Sequence, residues 1–191
     1  MAEPTDVLII GDSISMGYTP RAAERLADAA RVLHNPGNGG DSANVAGQLD
    51  AWLTDAAPGL VHFNCGLHDI KLARDTRIHQ VPLHAYRANL VRIVDRLVES
   101  GATLVWATTT PVIDERHHAA KPFDRHNRDV EEYNGVAADI MARAGIAVND
   151  LHAAVLADGP ADLLADDGVH FTEGGYARLA DLVADFLRPR L

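Results

Sequence analysis

Three side chains near opposite ends of this chain have the types needed to cleave an acyl bond. Ser13 closes the run Val7-Leu8-Ile9-Ile10-Gly11-Asp12-Ser13, and Asp167 and His170 sit together in Asp166-Asp167-Gly168-Val169-His170-Phe171-Thr172. A serine hydroxyl is inert by itself and needs a base, an orienting acid and donors for a developing oxyanion. An Asp three residues before a His, in one loop, can hydrogen-bond one ring nitrogen and fix its tautomer. The other nitrogen is then left to take the Ser13 proton. Asp-x-x-His fixes only two positions and carries little weight alone.

The elements that must position these residues follow from pattern. Val7 to Ile10 is a short aliphatic run closed by Gly11, the signature of a buried strand. Such a strand delivers Ser13 to the carboxyl edge of a parallel sheet, where open α/β folds place ligands. Further strands are predicted at Arg31–His34, Leu60–Cys65, Thr103–Thr108 and Ile146–Val148. Helices are predicted at Thr19–Ala30, Ser42–Asp55, Pro82–Ser100, Asp129–Ala144, Leu151–Ala157 and Glu173–Leu187. Pro82 near the start and Gly101 just past the end of one of them are the usual helix punctuation. Its Leu83, Tyr86, Leu90, Ile93, Val94 and Leu97 stripe reads as core. Lys71–Val81, the His-rich Val112–Arg125 and Asp166–Thr172 read as loops. Strands alternating with helices imply βαβ units and a single three-layer α/β/α domain over 1–191.

Between the ends lie two more polar blocks. Asn35-Pro36-Gly37-Asn38-Gly39-Gly40-Asp41-Ser42 follows the second strand, and Gly66-Leu67-His68-Asp69 follows the third. Gly11-Asp12-Ser13, Gly40-Asp41-Ser42, Gly66-Leu67-His68-Asp69 and Asp167-Gly168-Val169-His170 occur in that order. The series resembles the SGNH (GDSL-type) hydrolase superfamily over nearly the whole chain. The resemblance implies a flavodoxin-like fold with five parallel strands between helices. It assigns the nucleophile to Ser13, the base to His170 and the orienting acid to Asp167. It also implies an oxyanion hole built from the Ser13 N–H, the Gly40 N–H and the side chain at position 68.

Position 68 departs from the family pattern, which has Asn in Gly-x-Asn-Asp. A neutral imidazole still donates one hydrogen bond, with a different reach from an amide. His68 is therefore expected to serve in place of the asparagine or to touch substrate directly. Asp12, Asp69, Arg116 and His117 are candidate substrate contacts, and Arg125 lies in the same His-rich loop. Asp12 also suits a turn-holding role. Cys65 reads as a small buried hydrophobe in preference to a thiol nucleophile. His117, His118 and His126, with Asp114 and Asp124, match no compact metal-ligand spacing.

Of the 191 residues, 47% are hydrophobic and 23% charged, and the net charge is −10. That balance argues against nucleic acid or an anionic membrane as partner. One cysteine allows no internal disulfide, and the N-terminal residues lack the basic region and apolar core of a signal peptide. A cytoplasmic protein is expected. No metal or organic cofactor is implied. The expectation is a serine hydrolase that cleaves carboxylic esters, short acyl groups such as acetyl on a carbohydrate or small metabolite. Thioesterase and acyltransferase chemistry use the same site. A catalytically silent ligand-binding module is the reading from another class. A nucleotide binder is disfavoured, because neither G-x-G-x-x-G after the first strand nor a Walker lysine is present.

Overall fold

Val7 to Ile10 are each at most 2% exposed, and they form the inner part of β1 (Thr5–Ile10). Aliphatic residues on both faces suit a strand covered by helices on either side. β2 (Ala30–His34), β3 (Leu60–Phe63), β4 (Thr103–Ala107) and β5 (Ala147–Asn149) complete one sheet in the order β2-β1-β3-β4-β5. Every pairing is parallel, with Val7 opposite Val32 and Leu60, Leu60 opposite Thr103, and Val105 opposite Ala147. The chain leaves β1 toward β2 and returns across it to β3. The switch point of the sheet therefore lies between the carboxyl ends of β1 and β3, where such folds bind ligands. This computed structural model describes residues 5–191. Met1 to Pro4, part of the stretch read for a targeting signal, lie outside the described residues.

The helices are α1 (Ser13–Leu26), α2 (Ser42–Ala56), α3 (Leu83–Glu99), α4 (Asp114–Ala120), α5 (Asn127–Ala144), α6 (Leu151–Asp158), α7 (Pro160–Leu163) and α8 (Glu173–Leu187). A short 3₁₀ turn at Arg188–Arg190 follows. α1 packs on α8, while α2, α3 and α5 pack in series. The result is the three-layer α/β/α arrangement expected from the alternation of strands and helices. The stripe of α3 is core as expected, with Tyr86, Leu90, Ile93, Val94 and Leu97 buried.

Two expectations are corrected. The first helix begins at Ser13, not Thr19. Asp12 caps it by accepting from the Ile14 N–H at 2.9 Å, and Ile14, Tyr18, Ala22 and Leu26 form its buried stripe. Pro20 lies inside this helix on its exposed side, which hides the start from a reading by residue type. The stretch read as a His-rich loop contains α4. The acidic Asp114 and Glu115 sit in its first turn, matching the helix dipole. The short α7 also went unpredicted.

Candidate active site

Ser13 is the first residue of α1, immediately beyond the end of β1 and one residue past the cap. Its N–H therefore has no acceptor within the helix and points out of the positive end of the helix dipole. The other half of the site comes from the turn before α8. There Gly168 has φ +69, and a Cβ on it would stand 2.5 Å from the Ile113 carbonyl oxygen and 2.9 Å from the His117 nitrogen. Only glycine lets this turn press so closely on α4, and the Ile113 N–H donates to the Gly168 carbonyl at 2.8 Å.

The turn carries Asp167 and His170. One carboxylate oxygen of Asp167 accepts the backbone N–H groups of Val169 at 3.1 Å and His170 at 2.9 Å. The other accepts from His170 Nδ1 at 2.6 Å. Burial works to raise this carboxyl. The His170 ring and the two backbone donors outweigh burial and hold it well below the usual carboxylate range. An ionised Asp167 keeps the proton on Nδ1, so Nε2 faces Ser13 as an acceptor, and the Ser13 Oγ lies 3.0 Å from it. Lys121 Nζ stands 3.4 Å from the same Asp167 oxygen that meets the ring. Ser13 and Asp167 each lie within hydrogen-bond reach of the His170 ring, the arrangement that serine activation requires.

The cleft beside this trio has a volume of about 300 Å³ and is bordered by Ser13, His68, His170, Lys71, Phe123 and Arg125, among others. His68 follows β3, across the switch point from Ser13. Burial, together with Lys71 and Arg125, lowers its pKa to about 4. It is thus a neutral ring near pH 7, with one N–H to give. Its Nε2 is 3.9 Å from Asp12 Oδ2, too far for a hydrogen bond.

Gly40 has φ +66 and donates its N–H to the side-chain oxygen of Asn38 at 2.9 Å. Asn38 itself borders the cleft. The block is tied to the nucleophile turn from two sides. The Gly39 N–H donates to the Gly11 carbonyl at 2.9 Å, and the Gly11 N–H to Asn35 Oδ1 at 2.9 Å.

The four candidate substrate contacts are turned elsewhere. Asp12 is buried and caps α1. Asp69 is fully buried and accepts the Ser42 backbone N–H at 3.1 Å and the Ser42 hydroxyl at 2.5 Å, which fastens the third block to the start of α2. Burial raises its pKa to about 7 despite those bonds. Arg116 reaches α7, donating to the Ala161 and Leu164 carbonyls at 3.2 and 3.1 Å. His117 is fully buried behind the cleft and accepts from Arg125 Nη1 at 3.2 Å. Asp69, Arg116 and His117 therefore position loops instead of bordering the cleft.

Asn38, Lys71, Lys121 and Phe123 border the cleft without having been singled out in the sequence. They come from three loops, Lys121 and Phe123 sharing the one after α4, and no local spacing marks them. Of the histidines weighed as metal ligands, His118 pairs with Asp124 and His126 with Asp114, each at 2.8 Å. Among the described residues no group of three His, Cys, Asp or Glu side chains is arranged to hold a metal ion. Cys65 is buried, and burial pushes its thiol well above the ordinary range, so it is no nucleophile at neutral pH. Among the same residues no helix is long and apolar enough to cross a membrane.

Comparison with known proteins identifies a family and neighbours of the same fold. The model of the GDSL-like Lipase/Acylhydrolase family matches residues 9–178. Among solved structures, a lipase/acylhydrolase from Enterococcus faecalis superposes with a TM-score of 0.83 at 21% identity, covering 98% of this chain and 97% of that one. The acetyl xylan esterase AlAXEase gives a TM-score of 0.78 at 16% identity, covering 95% and 99%. Axe2, an acetylxylan esterase from Geobacillus stearothermophilus, gives 0.76 at 22% identity, covering 96% and 93%. No match was found among curated proteins.

Proposed function

The chain belongs to the GDSL-like lipase/acylhydrolase family and is an ester hydrolase, and we propose that Ser13, His170 and Asp167 are the residues that carry its chemistry. The observation that supports this most is the unbroken relay from Ser13 Oγ through the His170 ring to Asp167, at 3.0 and 2.6 Å. Ser13 attacks the acyl carbon as His170 Nε2 takes the hydroxyl proton, and Asp167 stabilises the imidazolium that forms. His170 then gives that proton to the departing alcohol, leaving the acyl group on Ser13. A water molecule attacks the acyl-enzyme, its proton passes to His170, and the carboxylic acid leaves with Ser13 restored.

The tetrahedral oxyanion is held by the Ser13 N–H, the His68 ring N–H and the Gly40 N–H. The last of these is shared with Asn38 until the oxyanion replaces its side-chain oxygen. Displacing one neutral hydrogen bond of an exposed side chain costs only about 0.5–1.5 kcal/mol, against the stabilisation that a developing negative charge gains. Substrates are esters of short acyl groups on a carbohydrate or small metabolite. The modest cleft favours this reading, and two neighbours of the same fold are acetylxylan esterases. The site draws residues from β1 through α8, which favours one hydrolase domain over 1–191. Labelling with a fluorophosphonate, followed by peptide mass mapping, tests the assignment. The adduct is expected on Ser13, and an adduct on another serine overturns it.

A further inference from the structure

Arg125 is 5% exposed, yet among the described residues it makes no ion pair with a carboxylate. Its Nε donates to the Leu67 carbonyl at 2.6 Å and its Nη1 to His117 Nε2 at 3.2 Å. Among the described residues Nη2 has no acceptor, and the residue borders the cleft that holds Ser13. The support behind it is built to keep the guanidinium in place. Burial and the nearby Arg125 charge hold His117 neutral, so its ring can only accept from Arg125 through Nε2. Phe123 lies beneath the guanidinium at 5.1 Å, and Lys71 Nζ approaches the same ring at 5.5 Å. Lys121, from the same loop as Arg125, also borders the cleft, beside Asp167.

Burying a cation costs several kcal/mol unless an anion answers it, and two cations on one ring repel each other. The charges of Asp12 and Asp167 reach Arg125, but burial outweighs them and neither carboxylate pairs with it. Asp167 is engaged by His170, and Asp12 gives one oxygen to the α1 cap and, among the described residues, leaves the other without a partner. The chain as a whole carries a net charge of −10, so cations gathered at one cleft are a local feature, not a consequence of composition.

We infer that the cleft beside Ser13 binds an anionic group of the ester substrate, a carboxylate or phosphate, between Arg125 and Lys71. A guanidinium on a fixed mount offers such a group a directed charge-assisted donor, and the lysine adds a mobile one. The anion belongs either to the acyl chain or to the alcohol. This inference rests on the hydrolase reading and names the substrate class within it.

Two ester pairs test it. Mono-4-nitrophenyl glutarate and 4-nitrophenyl pentanoate differ only in whether the acyl chain ends in a carboxylate. Acetylated methyl glucuronoside and acetylated methyl glucoside place the same difference on the alcohol. The anionic member of at least one pair should show a kcat/KM higher by about tenfold or more, and the pair that shows it identifies the side. Lys71→Gln and Arg125→Lys should each reduce that ratio, and Lys71→Gln keeps the test open if the Arg125 variant fails to fold. Parity in both pairs, or a ratio neither variant moves, overturns the inference and leaves the cations as a counterweight to Asp12 and Asp167. A chain that cleaves none of the four esters fails the hydrolase reading instead. Binding then decides the inference. At fixed ionic strength, inorganic phosphate should raise the Tm of Ser13→Ala more than that of Ser13→Ala with Lys71→Gln, and equal responses overturn it.

Discussion

His170 Nε2 lies 3.0 Å from Ser13 Oγ although 157 residues separate them in the chain. The contact exists because α1 and α8 pack on each other, with Ser13 opening one helix and His170 in the turn just before the other. Asp167 shares that turn, so the pair His170–Asp167 forms locally and only the meeting with Ser13 depends on the whole fold.

Asp167→Asn keeps the size of the side chain and removes its charge. The amide no longer fixes the proton on Nδ1, so His170 loses its standing as a base toward Ser13. Turnover should fall by about 10³–10⁴, with KM little changed. Steady-state kinetics on one nitrophenyl ester measures this, and a loss under tenfold contradicts the role given to Asp167.

In the proposed oxyanion site His68 donates as a neutral ring, its pKa lowered to about 4 chiefly by burial. Removing the donor in His68→Ala should cost roughly 10²–10³ in kcat. His68→Asn should recover most of that loss, because an amide N–H then occupies the same turn. Full activity in the alanine variant would remove His68 from the oxyanion site.

A Cβ on Gly39 would meet the Gly11 carbonyl oxygen at 2.6 Å and its carbon at 3.2 Å. Both are backbone atoms of the nucleophile turn, so no side-chain rotation relieves the clash. Gly39→Ala should destabilise the fold by about 1–3 kcal/mol, a Tm drop of roughly 2–12 °C for a domain of this size. It should also lower kcat by pushing Gly40 away from Ser13. Unchanged Tm and kcat would mean that the two turns are not in contact.

His62, in the middle of the sheet, is fully buried and held to a pKa of about 4 by burial. The unfolded chain protonates this ring near pH 6.5, so it takes up a proton before the native state does. Native stability from this group is therefore complete above about pH 6.5 and falls as the pH drops toward 4. Asp69 acts in the opposite sense, since its native pKa of about 7 makes folding favour the protonated form. A single-site comparison separates them. Between pH 7 and 5, His62→Leu should lose less stability than the wild type by roughly 1–2 kcal/mol, measured by denaturant unfolding. Parallel pH curves would contradict a neutral buried His62.

The parts of the fold and site that were legible in the sequence are those encoded locally. β1 announces itself by four buried aliphatic residues ending at a glycine, and the blocks after β1, β2 and β3 each stop a strand with turn formers. Asp167 and His170 lie in one turn and can be paired from spacing. The start of α1 was obscured by Pro20, whose propensity argues against a helix although its exposed position tolerates it. α4 is only seven residues long, and its stability comes from burying His117 and from the Gly168 turn pressing on it, neither visible locally. Asn38, Lys71 and the pair Lys121 and Phe123 meet only when their three loops converge. Arg116 and His117 were placed near substrate by their loop, but their side chains turn toward α7 and Arg125.

The most direct measurement is hydrolysis of 4-nitrophenyl acetate by the wild type and by Ser13→Ala, with far-UV circular dichroism showing that both are folded. The account predicts turnover by the wild type and a fall of about 10³-fold or more in the variant. A folded Ser13→Ala that keeps the wild-type rate would contradict it, because the nucleophile would then lie elsewhere.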